Sequence, residues 1–220
     1  MLENVNKPSV SAFASLGPRL KRRVRQRKQP VQARAQATTE ALLEATFQVL
    51  RRHGAAGLTT TRVADRAGVS VGTLYQYFPD KQSLVMALQV RYLSLMVDAV
   101  TSALAESETL PLEAIFRRVL GALLQMKHAH LDLCLALREP LAESAGHDFH
   151  RAGRECFGAL VMPHLRRALP REPQLERRAA LAGAALDGAI TAVLYESPAW
   201  LVEPWLLDEL VALAVRYFAV

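Results

Sequence analysis

Residues 59–81 read TTTRVADRAGVSVGTLYQYFPDK. In a chain otherwise dominated by Leu, Ala and Val, this stretch packs two glycines, two tyrosines and a cluster of hydroxyls between two helical patterns, and a Pro-Asp stop follows. Helix-turn-helix geometry accounts for the combination. Two helices crossing at about 90–120° through a short turn need a small residue where they touch and a residue tolerant of positive φ in the turn. Ala64 supplies the first and Gly68 the second. Val63, Ala67, Val69, Leu74 and Phe78 are spaced to face inward, and Ser70 can N-cap the second helix. Leu74 and Phe78 lie four residues apart, so they point together into a core. Thr73, Gln76 and Tyr77 are then expected to point outward, with Tyr75 at the edge and Gly72 leaving room for close approach.

Outside this stretch the apolar pattern is helical almost throughout. TTEALLEATFQVLRRHG places Leu42, Leu43, Ala45, Phe47, Val49 and Leu50 on one broad arc, with Glu44, Gln48, Arg51 and Arg52 opposite. Thr38 or Thr39 can cap this helix and Gly54 can end it. Short helices are expected at 60–67 and 71–78. A long one, capped by Asp80, should run to about 105, and Pro111 opens another to about 128. A segment ends before Pro140. Residues 147–169 form a helix that must tolerate Pro163, and two more helices complete the chain. The pattern predicts an all-α fold of about nine helices: a small three-helix unit at 38–82 and a larger helical bundle at 83–220. Residues 1–37 lack any helical period and are expected to be disordered.

The charge is unevenly placed. Residues 1–37 carry nine basic side chains against Glu3 alone, whereas the other 183 residues carry 18 basic and 20 acidic ones. A basic tail suits an acidic partner such as nucleic acid or an anionic membrane, or is merely solvated. Two cysteines exclude a disulfide scaffold. The sequence shows no apolar signal region and no run of 18 or more apolar residues, so a cytoplasmic protein that does not span a membrane is expected.

An outward face of Thr, Gln and Tyr suits a DNA major groove, where Gln pairs with adenine and hydroxyls meet phosphates or bases. A solvated surface helix is the bland alternative, and exposed tyrosines beside Gly72 fit it poorly. With LLEAT, RHGAAGLTTTRVADRAGVSVGTLYQYFPDK and QSL at uninterrupted spacing, residues 38–85 resemble the DNA-binding domain of the tetracycline-repressor (TetR) family of bacterial regulators. The resemblance implies a homodimeric repressor or activator on double-stranded operator DNA, with a recognition helix at about 71–77. Thr60 would meet phosphate at a helix N-terminus, and Thr61 and Arg62 backbone or base. Val71, Gly72, Thr73 and Gln76 would read bases, next to the capping Ser70. Tyr75, Tyr77 and Lys81 would hold phosphates. Residues 38–80 carry four basic and four acidic side chains. That departs from a strongly basic reader and shifts weight onto the tail.

The same resemblance implies a ligand pocket in the middle helices. Phe116, Met126, Cys134, Phe149, Phe157 and Met162 are candidates for its apolar lining, with Arg138 as a polar anchor or a surface residue. It also implies a dimer interface on the last two long helices, through Ala182, Gly183, Leu186, Ile190, Val193, Leu207, Leu210, Val211, Ala214 and Phe218. The plain alternative for each of these residues is core. His128, His130, His147 and His150 lack metal-ligand spacing, so no metal is expected. Cys134 and Cys156 read as buried small hydrophobes rather than a redox switch. Neither a nucleophile–base pair nor a cofactor motif is present, so an enzyme is not expected. The leading expectation is a ligand-responsive transcriptional regulator, a repressor released by a small apolar or aromatic effector. The alternative is a helical scaffold or membrane-surface protein that uses its basic tail on anionic lipid.

Overall fold

The computed structural model describes residues 33–105, 110–138, 140 and 144–219, and the basic run at 19–28 lies outside them. Nine α-helices and one 3-10 turn occur among the described residues, with no strand. They fall into two compact units: 33–93 with 132–150, and 94–131 with 151–219.

The first unit opens with α1, Ala33–His53. Its buried arc is the expected one, from Leu42 to Leu50. The start differs from the expected cap at Thr38 or Thr39. The Thr39 hydroxyl donates back to the Ala35 carbonyl at 3.0 Å, so it serves a helix already under way. The added turn, Ala-Arg-Ala-Gln-Ala, consists of good helix formers. It carries no large apolar residue to reveal a period. The helix ends at Gly54, whose φ of 65° is left-handed.

Two short helices follow, α2 (Thr60–Ala67) and α3 (Val71–Tyr77). Thr59 caps α2 by accepting from the Arg62 amide at 3.2 Å. Gly68, at φ 69°, ends it, and the Gly68 and Val69 amides donate to the Asp65 and Ala64 carbonyls. A side chain at Gly68 would have space but an unfavourable backbone. Ser70 caps α3, accepting from the Thr73 amide at 2.9 Å. Asp80 caps α4 (Lys81–Leu104), accepting from the Ser83 amide at 2.7 Å. The short α6 (Leu131–Ala136) and the first turns of α7 (Ser144–Ala168) complete this unit. Arg51, at the end of α1, is ion-paired with Asp132 of α6 at 2.9 Å.

In the second unit α5 (Leu112–Ala129) packs on the last helix, α9 (Pro204–Phe218), and on the 3-10 turn Pro198–Val202. Phe116 stacks on Phe218 at 5.8 Å between ring centroids, and Arg117 pairs with Asp208 at 2.7 Å. α8 (Leu175–Glu196) packs on the 3-10 turn and α9. Arg178 of α8 fixes the chain end: it pairs with Glu172 at 2.6 Å, lies 5.0 Å over the Tyr217 ring and donates to the Tyr217 carbonyl.

Several residues expected at a dimer interface are core of this unit. Ala182, Ile190, Leu210, Val211, Ala214 and Phe218 are all buried. Apolar residues extend beyond the buried side of both helices, with Leu181 of α8 and Leu213 of α9 exposed, and the pattern alone does not say which side meets the chain's own helices. The side of α8 left outward carries Leu181, Gly183, Ala184, Ala185, Gly188 and Ala192, and Leu181 is 62% exposed. Leu186, Val193 and Leu207 are half-buried.

Candidate nucleic-acid interface

A helix of seven residues is too short to hold itself in water, so α3 depends on what it buries. Leu74 and Phe78 are 0% and 1% exposed. Removing two such side chains from water contributes about 1.5–3 kcal/mol each. Val63 and Ala64 of α2 are buried in the same unit. The two caps and the left-handed Gly68 then fix how α3 leaves α2.

With that side anchored, the other side of α3 is set. Gly72, Tyr75 and Gln76 are exposed, and Val71 and Thr73 half-exposed. Thr73 is held by Ser70, whose oxygen lies 2.9 Å from the Thr73 hydroxyl. Tyr75 is 41% exposed, and its hydroxyl lies 3.2 Å from that of Thr60 in the first turn of α2. Two hydroxyls bring two protons, and their mutual bond uses one. The other is left for an acceptor outside the chain, such as a phosphate oxygen. Lys81, in the first turn of α4, is exposed, as are Thr61 and Arg62. The Arg62 guanidinium also donates to the Gly57 carbonyl at 2.5 Å, which ties down the loop before α2.

Tyr77 departs from its expected outward position. It is 9% exposed and belongs to the core with Leu74 and Phe78. Residues 74, 77 and 78 form an i, i+3, i+4 set on one side of a helix, so Tyr77 shares the buried arc. The aromatic ring spoke for the interior and the hydroxyl for the surface, and the spacing decides.

Other contributors were hidden in the sequence. Three consecutive threonines concealed that Thr59 is the cap. Gly57 is required by close approach: a Cβ there would lie 2.5 Å from the His53 carbonyl oxygen. Arg66 donates to Gln48, joining α2 to α1. By contrast, a Cβ at Gly72 would meet only the Ser70 hydroxyl, at 3.7 Å. Nothing described within the chain requires glycine there, although glycine inside a helix costs about 1 kcal/mol relative to Ala.

The expected pocket residues divide between the units. Cys134 and Phe149 are buried in the first, each against Tyr92: the Cys134 thiol donates to the Tyr92 hydroxyl at 3.4 Å, and the Phe149 ring stacks on Tyr92 at 6.2 Å. Arg138 is exposed. Phe116, Met126, Phe157 and Met162 belong to the second unit, where Phe116 is core. Cys156 is buried there too. Burial, followed by the neighbouring Glu155 charge, pushes its thiol up from the ordinary range, which favours the unreactive protonated form.

A short helix pinned by its inner side, joined to its predecessor through a left-handed glycine and showing Gln and hydroxyls outward, defines a helix-turn-helix protein. Residues 42–88 match the family model described as bacterial regulatory proteins, tetR family. Over these residues the chain is similar to the tetR family. It is 32% identical over 111 residues to the HTH-type transcriptional repressor KstR of Mycobacterium tuberculosis, a match covering 50% of this chain and 44% of that protein. It is 28% identical over 107 residues to an HTH-type regulator in the dhlA 5' region of Xanthobacter autotrophicus, covering 47% of this chain and 51% of that one. The chain thus spans about half the length of the curated relatives it matches. Among solved structures, a TetR transcription regulator from Haloarcula marismortui superposes with a TM-score of 0.65 at 25% identity, over 82% of this chain and 95% of that one. A TetR-family regulator from Streptomyces coelicolor does so with a TM-score of 0.60 at 23% identity, over 83% and 98%, and shares the fold.

The division between the tyrosines has a measurable consequence. Tyr77→Ala should destabilise the protein by about 3–4 kcal/mol, as large-to-small core changes do. Tyr75→Ala should stay within about 1 kcal/mol of wild type, as exposed changes do. Urea unfolding of the two variants checks this, and equal midpoints would contradict the assignment.

Proposed function

We propose that the protein is a DNA-binding transcriptional regulator, a dimer that represses from a palindromic operator and is released by a small apolar or aromatic effector. The observation that carries the reading is the outward side of α3: Gln76 and Tyr75 exposed around Gly72, on a helix whose position Leu74 and Phe78 fix. The glycine at 72, not required by the described chain, lets backbone approach a base edge. Gln76 offers an amide that can pair bidentately with adenine. Thr60, Tyr75 and Lys81 would hold phosphates, Tyr77 would serve by holding α3, and Ser70 and Thr73 set its N-terminus. Repression is preferred over activation because the relative from Mycobacterium tuberculosis is described as a repressor. Effector release would work through α4, which begins at the reading head and runs on into the second unit.

Gln76→Ala should weaken binding by about 1–3 kcal/mol at one position of each half-site and relax base preference there. Selection of operators from a random DNA pool by both proteins checks this. An identical consensus would remove Gln76 from the list of base readers.

Dimerisation is assigned to the outward side of α8. α4 and α8 are both long and apolar enough to cross a membrane by length and composition, with mean hydropathy 1.4 and 1.3, but 67% of the α4 window is buried within the chain and only 17% of the α8 window. Small residues at 184, 185, 188 and 192 let a second helix approach closely. A two-fold pair also supplies the half-site spacing of about 34–36 Å that a single short reader needs for affinity. Leu181→Glu with Ala185→Glu should give a monomer by light scattering that retains its helical signal, whereas a wild-type monomer, or a dimer in both, would remove α8 from the interface.

The basic tail supplies the long-range attraction that residues 38–80 lack. If three of its side chains in each subunit meet phosphate, the slope of log affinity against log salt should flatten by about five on deleting residues 2–30. Base preference should stay intact. An unchanged slope would make the tail a solvated extension.

A further inference from the structure

We infer that Gln89 marks a binding site, inside the first unit, for an uncharged and largely apolar molecule that donates one hydrogen bond through a hydroxyl or amide N–H. The inference rests on the proposed ligand response and names the chemistry the ligand must have. Gln89 lies on α4 and is 1% exposed. Its Nε2 reaches the Pro140 carbonyl at 3.4 Å, and its Oε1 has no partner among the described residues. Exchanging the two ends of the amide does not help. It would set one acceptor against another at Pro140 and orphan the NH2 group instead. The unmet group is therefore an acceptor, and what meets it must donate. Buried polar side-chain atoms find a partner in the large majority of cases.

The surroundings select the rest of the molecule. Tyr92 lies three residues on, on the same side of α4. Its ring is stacked on Phe149, and its hydroxyl is engaged by the Cys134 thiol at 3.4 Å. A water would need about two to four polar partners, whereas the stacked Tyr92 and Phe149 rings present mostly apolar surface. An aromatic or aliphatic body with one donor fits this setting better. Cys134 also gives the site a route to the reading head. It sits on the six-residue α6, about 200° around the helix from Asp132, whose carboxylate holds Arg51 of α1 at 2.9 Å. A guest pressing on the Cys134 side moves the helix that carries this link.

The test uses a matched pair of probes, 1-naphthol and 1-methoxynaphthalene, which share a ring system but differ in the donor. Calorimetric titration of the full chain should show 1-naphthol binding at least tenfold tighter than the ether. Gln89→Leu should bind the two alike, with an unchanged or raised melting temperature because a buried amide has been removed. Equal affinities in the wild type, no measurable binding of either probe, or discrimination retained in Gln89→Leu would each overturn the proposal. An occupying water predicts one of the first two. Operator gel shifts on the same preparations separate the readings: probe discrimination without DNA binding would remove the regulator reading and leave this site standing, and DNA binding without discrimination would do the reverse.

Discussion

The burial of Leu74 and Phe78 is the constraint on which the reading surface depends. α3 has too few residues to persist alone, and its outward side displays mostly glycine, hydroxyls and an amide, none of which drives folding. Orientation comes from the inward side, where Leu74, Tyr77 and Phe78 are removed from water. The left-handed Gly68 and the Ser70 cap add less than the buried side chains, about 1 kcal/mol for the cap. They remove alternatives, so that burying three side chains specifies one angle between α2 and α3 rather than several. Outward residues can then be chosen for what they touch. In the proposed regulator, that division of labour would let the operator preference change without loss of the fold.

The electrostatics point the same way. Residues 38–80 are balanced in charge, so a duplex would gain little by approaching them at random. Recognition there must come from short-range contacts that require fit. Two of the head's arginines, Arg62 and Arg66, are engaged with Gly57 and Gln48 and help to hold the loop and α2 in place. For the proposed DNA binding, such a head would trade general attraction for selectivity and would draw charge from elsewhere, which the first 37 residues have in excess.

How much was legible follows from how local the cause was. Gly54, Gly68, Ser70, Asp80 and Pro111 stand at the ends the sequence assigned them, because a cap or a left-handed turn acts within four residues. The α1 arc and the Leu74–Phe78 pair were readable from period alone. Tyr77 was misplaced because an amphipathic side chain carries evidence for both sides, and the start of α1 because a turn of alanines has no period. The assignment of Ala182, Ile190, Leu210, Val211, Ala214 and Phe218 to a dimer surface failed for a different reason. Where apolar residues extend beyond one side of a helix, which side faces the chain's own core is a property of packing, not of composition. Gln89 could not be found at all: a polar residue in an apolar helix reads as a surface position, and only the fold shows it enclosed.

That last contrast bears on the two apolar helices, α4 and α8. Their mean hydropathies are nearly equal, yet one is largely enclosed by the chain and the other largely left out. An apolar helix that its own chain does not cover is costly to leave in water, since each Å² of apolar surface contributes about 25 cal/mol when removed from it. Membrane and partner helix would both relieve that cost. The small residues along the outward side of α8 are not what burial alone favours, because Leu or Ile there would gain more area. What they gain is distance, since backbones approach closely only where side chains are short. A helix selected for bulk transfer into lipid would also do better without Asp187 in its middle. In the proposed dimer the outward side of α8 would meet another helix, and a second copy of the same chain would bring small residues to match it.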